Sequence, residues 1–454
     1  MTSLIIRDTV NENDYHYQDF MTITHKDYSK IAFPFIISTV TQPLLGAVDT
    51  AVIGQMGIAE LIGGVAIGTV IMNTIYWLFG FFRVSTTGQS AIALGKGCQS
   101  SLINSLMRPF ILSASVGFIF IIFQSFIWQG ALWVISPDPL VAEQAHLYFC
   151  ILIYGAPFVL INYSIIGWLM GQAKAKETLY TQVFGNLLNI VLDVIFVFYF
   201  DLGVAGVAYA SLIAQITTFI IGITIVLKTS NIPVSAFLQS TKINKKELSA
   251  IVSSNSDLLI RTVCILIFFN MIARTGSQLG TDVLATNAIL MQITFIISYM
   301  FDGIANASSV FAGKSVGQKD QAMFNQVIKL NAQWTAGFII LLTLLIVIFR
   351  NSLILLFTDQ IELITLYHTM APWLIIFPLV AGFGLTTYGI FTGTGTTRPV
   401  RDSSLATLFL FLVMLMFTVN WWGNHGLWFA FTAFYLGRIM FLYPFIYKIK
   451  QKVI

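Results

Sequence analysis

Long apolar blocks separated by short polar turns run almost the whole length of the chain. Twelve blocks stand out: Ile31–Gly54, Leu61–Leu94, Leu102–Trp128, Val141–Leu169, Leu179–Phe200, Val204–Leu227, Leu258–Gln278, Val283–Gly313, Phe324–Phe349, Ile361–Phe391, Ser404–Trp422 and Leu427–Ile449. A helix needs about 20 apolar residues to cross a bilayer, so each block predicts a transmembrane helix. The longer blocks predict tilt or extension beyond the membrane. The fold class that follows is an all-α polytopic membrane protein with twelve spans. Residues 1–30 form a polar tail without the basic-then-apolar pattern of a cleaved signal. Residues 229–256 form a second polar stretch, holding Lys242, Lys245 and Lys246.

Composition agrees. The 454 residues are 57% hydrophobic and 10% charged, with mean hydropathy +0.82, against about 25% charged residues in soluble domains. The net charge of +4 says less than its distribution. Lys174, Lys176, Lys228, Lys314, Lys319, Arg398, Arg401 and Lys448 fall in turns on the side of the termini. Glu60, Asp138, Asp201, Asp282, Asp359 and Glu362 occupy the opposite turns, with Arg350 the one basic residue there. The positive-inside rule therefore predicts cytoplasmic termini and a place in the cell's inner membrane. Cys98, Cys150 and Cys264 form no CxxC pair, so neither a metal site nor a disulfide framework is expected. The five histidines are scattered, and HExxH and GxSxG are absent. An enzyme is disfavoured, and no cofactor is expected.

The two halves read as a duplication. Gly54 and Gly276, Gly95 and Gly317, Gly167 and Gly389, and Gly171 and Gly393 are each 222 positions apart, for example 276 − 54. Six crossings per half make the repeats parallel, related by pseudo-two-fold symmetry about an axis along the membrane normal. The expected organisation is a tail (1–30), a first lobe (31–228), a linker (229–256) and a second lobe (257–454).

The polar residues inside the blocks carry the candidate chemistry. Asp49 is the single carboxylate of the first block, and a charge at mid-membrane costs roughly 2.5–3.5 kcal/mol on insertion scales. Pro34 and Pro43 share its helix and predict bending there. Ser38, Gln42 and Asp49 lie on one face of that helix. Asn186, Asn189 and Asp193 share a face in the fifth block, and Ser211 and Gln215 do so in the sixth. At 1.5 Å per residue, Asp49, Asp193 and Ser211 all fall roughly 8–11 Å below the outer interface. Two carboxylates with amide and hydroxyl oxygens suit Na⁺ or a proton, not zinc or copper. The alternative is a hydrogen-bond network that only fixes helix packing.

The second lobe does not repeat this chemistry: Met271, Phe411 and Leu415 stand at the duplicates of Asp49, Asn189 and Asp193. Its intramembrane acid is Asp302, near the cytoplasmic end of its span. Arg83 and Arg261 lie at comparable depth, and pairing of Asp302 with either predicts an inner gate.

Four stretches carry a family resemblance: Pro43–Gly54 (PLLGAVDTAVIG), FRVSTTGQSA after the second span, NLLNIVLDVIFV in the fifth, and YMFDGIANASSVFAGKSVGQ in the eighth. The chain resembles the multidrug and toxic compound extrusion (MATE) family, in its DinF-type branch. The resemblance implies a twelve-helix, two-lobed antiporter that expels organic, often cationic, compounds in exchange for H⁺ or Na⁺. It implies a coupling site at Asp49, Asn189, Asp193 and Ser211, with any Na⁺ at Asp49, Asn189 and Asp193. Serine stands at Ser211 where the family usually has threonine, and the second-lobe carboxylates of NorM-type members are absent. Pro34 matches a family proline at which the first helix bends. Ser38, Gln42, Asn162, Asn186 and Gln215 are expected to line a substrate cavity. The expected partners are small organic molecules and the bilayer, with no nucleic acid, and the expected state is a monomer. The alternative within the superfamily is a flippase for lipid-linked precursors, which calls for several basic residues in the cavity. A channel is disfavoured by the lone coupling site and the two-lobed repeat.

Overall fold

The computed structural model describes residues 23–54, 59–230 and 245–452. Side chains of residues 42–51 are outside that set, as are residues 1–22, most of the predicted tail, and 231–244, much of the predicted linker. The described chain is a bundle of helices: α1 (His25–Gly54), α2 (Ala59–Phe79), α3 (Phe81–Lys96), α4 (Gln99–Ile122), α5 (Gln124–Ile135), α6 (Pro139–Leu152), α7 (Ala156–Gly171), α8 (Ala175–Val194) and α9 (Gly203–Thr229) make the first set. The second set is α10 (Lys245–Leu279), α11 (Thr281–Gln318), α12 (Gln321–Leu355), α13 (Ile361–Gly393), α14 (Arg398–Trp422), α15 (Asn424–Leu442) and α16 (Phe445–Lys452). Eleven segments of the described chain are long and apolar enough to cross a membrane; the 30-residue α1 is a further helix of that length.

Three spans of the first lobe are jointed where their counterparts are continuous. The second span divides at Gly80 into α2 and α3, the third at Phe123 into α4 and α5, and the fourth at a 3₁₀ turn, Ile153–Gly155. Helix α10 begins at Lys245, so the predicted linker is helical from there to residue 256; the run KKELSAI is made of good helix formers. Helix α1 is continuous through Pro34 and Pro43.

The duplication is visible in the packing. Helices spanning 59–96 and 281–318 start and end 222 residues apart, as do those spanning 139–171 and 361–393. A Cβ on Gly167 would collide with the carbonyl oxygen of Arg83, and one on Gly389 with that of Ala305, 222 positions on. Gly171 meets the carbonyl of Thr87, and Gly393 that of Ser309, again 222 apart. Glycine is needed at these places because backbone packs directly on backbone.

The lobes join at the end of the bundle where α1 begins. There α3 lies against α11 and α13, and α1 against α11. Gly95 and Gly317 face each other: a Cβ on Gly317 would stand 2.7 Å from Cα of Gly95. Tyr28 Oη is 2.6 Å from Ser308 Oγ, and Thr39 Oγ1 reaches the carbonyl of Tyr299 at 2.8 Å. Gly303 lets α11 approach the backbone of Ile36.

Candidate functional site

Helix α8 is amphipathic in the inverted sense of a membrane bundle. Thr178, Thr181, Gln182, Asn189 and Asp193 are buried, while Tyr180, Phe184, Leu187, Val191 and Val194 are exposed. In water that order would be reversed; in lipid the apolar face turns outward and the polar face must find partners inside. Gly185 holds the polar face close to α9, since a Cβ there would strike Thr218 Oγ1.

The partners come from two helices of the first lobe, and a third helix, α7, ties in through α9. Ser38 Oγ of α1 donates to Gln182 Oε1. Asn189 Nδ2 donates to Ser211 Oγ of α9 at 3.1 Å. Asn162 Nδ2 of α7 donates to the carbonyl of Gln215 at 3.1 Å. Asp193 is fully buried on the same face of α8 as Asn189, one turn on. A π-helical turn, Ile195–Tyr199, follows it directly, a departure from regular helix that is common beside functional side chains. Two buried acceptors, Oδ1 of Asn189 and Oε1 of Gln215, have no hydrogen-bond partner among the described residues. Asn186 is half-buried. The side chains of Asp49, Gln42 and Pro43 lie outside the described residues, so the predicted meeting of Asp49 with Asp193 does too.

Sequence reasoning placed Asp49, Asp193 and Ser211 in one layer; in the structure Ser211 meets Asn189, one turn of α8 from Asp193. It stopped one turn short at Gln182, although Gln182, Asn186, Asn189 and Asp193 follow the i, i+4, i+7, i+11 spacing of one face. In the second lobe, Phe411 and Leu415 stand at the positions corresponding to Asn189 and Asp193. Phe411 is fully buried, its ring 4.7 Å from that of Phe268, which itself stacks on Phe434 at 3.9 Å. Aromatic packing replaces the polar stripe there.

The predicted gate residues separate into two groups. Arg83 of α3 reaches across the lobe seam to Asp302 of α11 at 3.5 Å, and Asn306 Nδ2 donates to the same carboxylate oxygen at 3.3 Å. Arg261 does not join them: its guanidinium lies over the ring of Tyr388, 4.1 Å from the centroid. Arg438 of α15, buried at 4% exposure, approaches the same ring at 5.9 Å. It was missed, and its signal was a lone arginine inside the apolar block Leu427–Ile449.

Two six-span lobes meeting along a seam, with buried polar groups inside a lipid-facing bundle, define a polytopic membrane transporter. Comparison with known proteins gives the family. The MatE profile matches residues 34–195 and 258–422. The chain is 32% identical to DNA damage-inducible protein F of Escherichia coli (strain K12) over 418 residues, 91% of this chain and 90% of that protein. In fold it is similar to a crystal structure of MATE in complex with MaD3S (TM-score 0.84, 19% identity, 94% of this chain and 96% of that one). It is also similar to the outward-facing conformation of a multidrug resistance MATE family transporter (TM-score 0.83, 18% identity, 94% and 96%). The chain belongs to the MatE family, the multidrug and toxic compound extrusion transporters; it is not an enzyme.

Proposed function

We propose that this transporter is a cation-coupled efflux antiporter, taking up H⁺ or Na⁺ through the first lobe and expelling hydrophobic or cationic organic compounds. The reading rests on one observation above the others: the buried polar face of α8 against α1 and α9, whose second-lobe counterpart is filled by Phe411 and Leu415. Asp193 and Asn189, with Ser211 behind Asn189, would hold the ion, and Asp49 would complete the site from α1. These are hard oxygen ligands, suited to Na⁺, and the carboxylates suit a proton equally well. Ser38, Gln42, Asn162, Asn186 and Gln215 would line the neighbouring substrate path. The basic turns argue for cytoplasmic termini in an inner membrane, and a monomer suffices for the whole arrangement.

Helix α1 is the mechanical link in this reading. Ser38 and Thr39 are adjacent and point opposite ways. Ser38 engages Gln182 of the first lobe, and Thr39 the Tyr299 carbonyl of the second. An ion bound beside α8 changes the charge next to α1, and any shift or bend of α1 about Pro34 and Pro43 is felt at the lobe seam. The Arg83–Asp302 pair spans the same seam and would open with it.

Purified protein in proteoliposomes tests the reading. Ethidium should move uphill when a pH gradient or a Na⁺ gradient is imposed, and which gradient works identifies the ion. Asp49→Asn and Asp193→Asn should each abolish uphill movement. Full uphill efflux by Asp193→Asn would remove the first-lobe coupling site.

A further inference from the structure

The cluster around Tyr388 buries more positive charge than it neutralises. Arg83, Arg261, Arg438 and Asp302 all lie within electrostatic range of the Tyr388 hydroxyl. That is three guanidinium groups against one carboxylate, and the carboxylate is already engaged by Arg83. Arg261 and Arg438 form no ion pair among the described residues; what they share is the face of one ring. A cation–π contact offsets only part of the cost of removing a guanidinium from water. Three polar atoms in the cluster are buried with no hydrogen-bond partner among the described residues: Nε of Arg261, Nη1 of Arg83 and Oη of Tyr388. All can donate hydrogen bonds. Buried donors, two of them on guanidinium groups, in a site that Arg261 and Asp302 leave half-open, suit an anion.

We propose that the Tyr388 cluster binds the oxyanion of an amphipathic organic compound, a carboxylate or a phosphate. Guanidinium groups favour such planar or tetrahedral oxyanions through charge-assisted hydrogen bonds. Arg261 and Arg438 would flank the anion, and the Tyr388 hydroxyl would donate to it. The apolar part of the compound would extend toward the side that Arg261 and Asp302 leave half-open. This deepens the efflux reading by adding organic anions or zwitterions to its substrates. The same oxyanion chemistry is offered by an acidic lipid headgroup.

The test compares 2-naphthoate with 2-naphthamide, which differ in charge and little else, by equilibrium binding to the full-length protein in phosphatidylcholine nanodiscs. Naphthoate should bind at least about tenfold more tightly, the scale of one charge-assisted hydrogen bond. Arg438→Gln and Arg261→Gln should each erase most of that preference. Tyr388→Phe, which keeps the ring and the fold, should reduce it severalfold. Equal binding of the two probes to the unaltered protein overturns the proposal, as does a preference that survives all three substitutions. Replacing 30% of the lipid by phosphatidylglycerol separates the sources. Competition with naphthoate identifies a lipid headgroup as occupant, and undiminished binding identifies a free organic anion; both support an oxyanion site. Ethidium efflux, measured on the same preparation, reports separately on cation coupling.

Discussion

Gly317→Ala tests whether the seam at the end where α1 begins is where the lobes part. A Cβ at that position would lie 2.7 Å from Gly95 Cα and 2.8 Å from the Lys96 nitrogen. Carbon atoms rest at about 3.5–4.0 Å, so α3 and α11 must separate by about 1 Å to admit one methyl group. Overpacking of this size costs about 1–3 kcal/mol. The cost falls on the conformation with this seam closed and spares one in which the lobes stand apart here. An equilibrium biased by that amount moves about 5- to 150-fold. Spin labels at Lys176 and Arg398, both exposed and 222 positions apart in matching turns of the two lobes, read the change by pulsed electron paramagnetic resonance. The ratio of long- to short-distance populations should grow by that factor in Gly317→Ala. The control is Gly171→Ala, whose Cβ would lie 2.5 Å from the Thr87 carbonyl within the first lobe. It should lower thermal stability without adding long distances. An unchanged distance distribution in folded Gly317→Ala would show that this seam does not separate.

Two further outcomes follow from side chains near the same end. Asp257 is buried and accepts from Arg401 Nη1 and Thr397 Oγ1, both at 2.8 Å, tying α10 to the start of α14. Asp257→Ala should cost about 2 kcal/mol, below the full penalty for breaking a buried pair because Asp402 still holds Arg401; a thermal melt in detergent measures it, and the exposed Asp402→Ala should cost under about 0.5 kcal/mol. Cys98 is exposed in the turn before α4, where hydrogen bonds from the Ser100 hydroxyl and the backbone of Ser101 and Ser100 lower its thiol to about 7. Its N-ethylmaleimide rate should therefore rise through about pH 7, and Ser100→Ala should move that rise toward the ordinary thiol value of about 8.5. The linkage has the matching sign: the lowered value favours the folded chain at alkaline pH, and this contribution is lost as pH falls through about 7.

The span pattern was legible because lipid imposes length and apolarity on every crossing helix. Blocks such as Ile361–Phe391 match their helices closely, here α13 at Ile361–Gly393. The α8–α9 contact was legible for a related reason: polar residues are scarce in such blocks, so their spacing assigns a face and their distance from a block end assigns a depth. What escaped notice depended on three-dimensional placement. Asp302 had two candidate partners at similar depth, and depth says nothing about the direction of approach; the structure gives it Arg83 and sends Arg261 to Tyr388. Arg438 stood alone in its block, and only the fold brings it to the same ring as an arginine 177 positions earlier.

The two lobes share a backbone plan and differ in what they bury. At the positions of Asn189 and Asp193 the second lobe has Phe411 and Leu415, in aromatic packing that leaves no room for an ion. At Gly80, where the first lobe breaks its helix, the second places Asp302 in an unbroken one. The first lobe thus has joints and the buried polar stripe of α8, and the second has continuous helices and two arginines, Arg261 and Arg438, gathered at one tyrosine ring. Between them α1 touches both, through neighbouring residues Ser38 and Thr39. In the exchange proposed above, charge change on one side and anchoring on the other would together bias a two-state seam. A symmetric pair of lobes would give the seam no reason to respond to an ion bound on one side only.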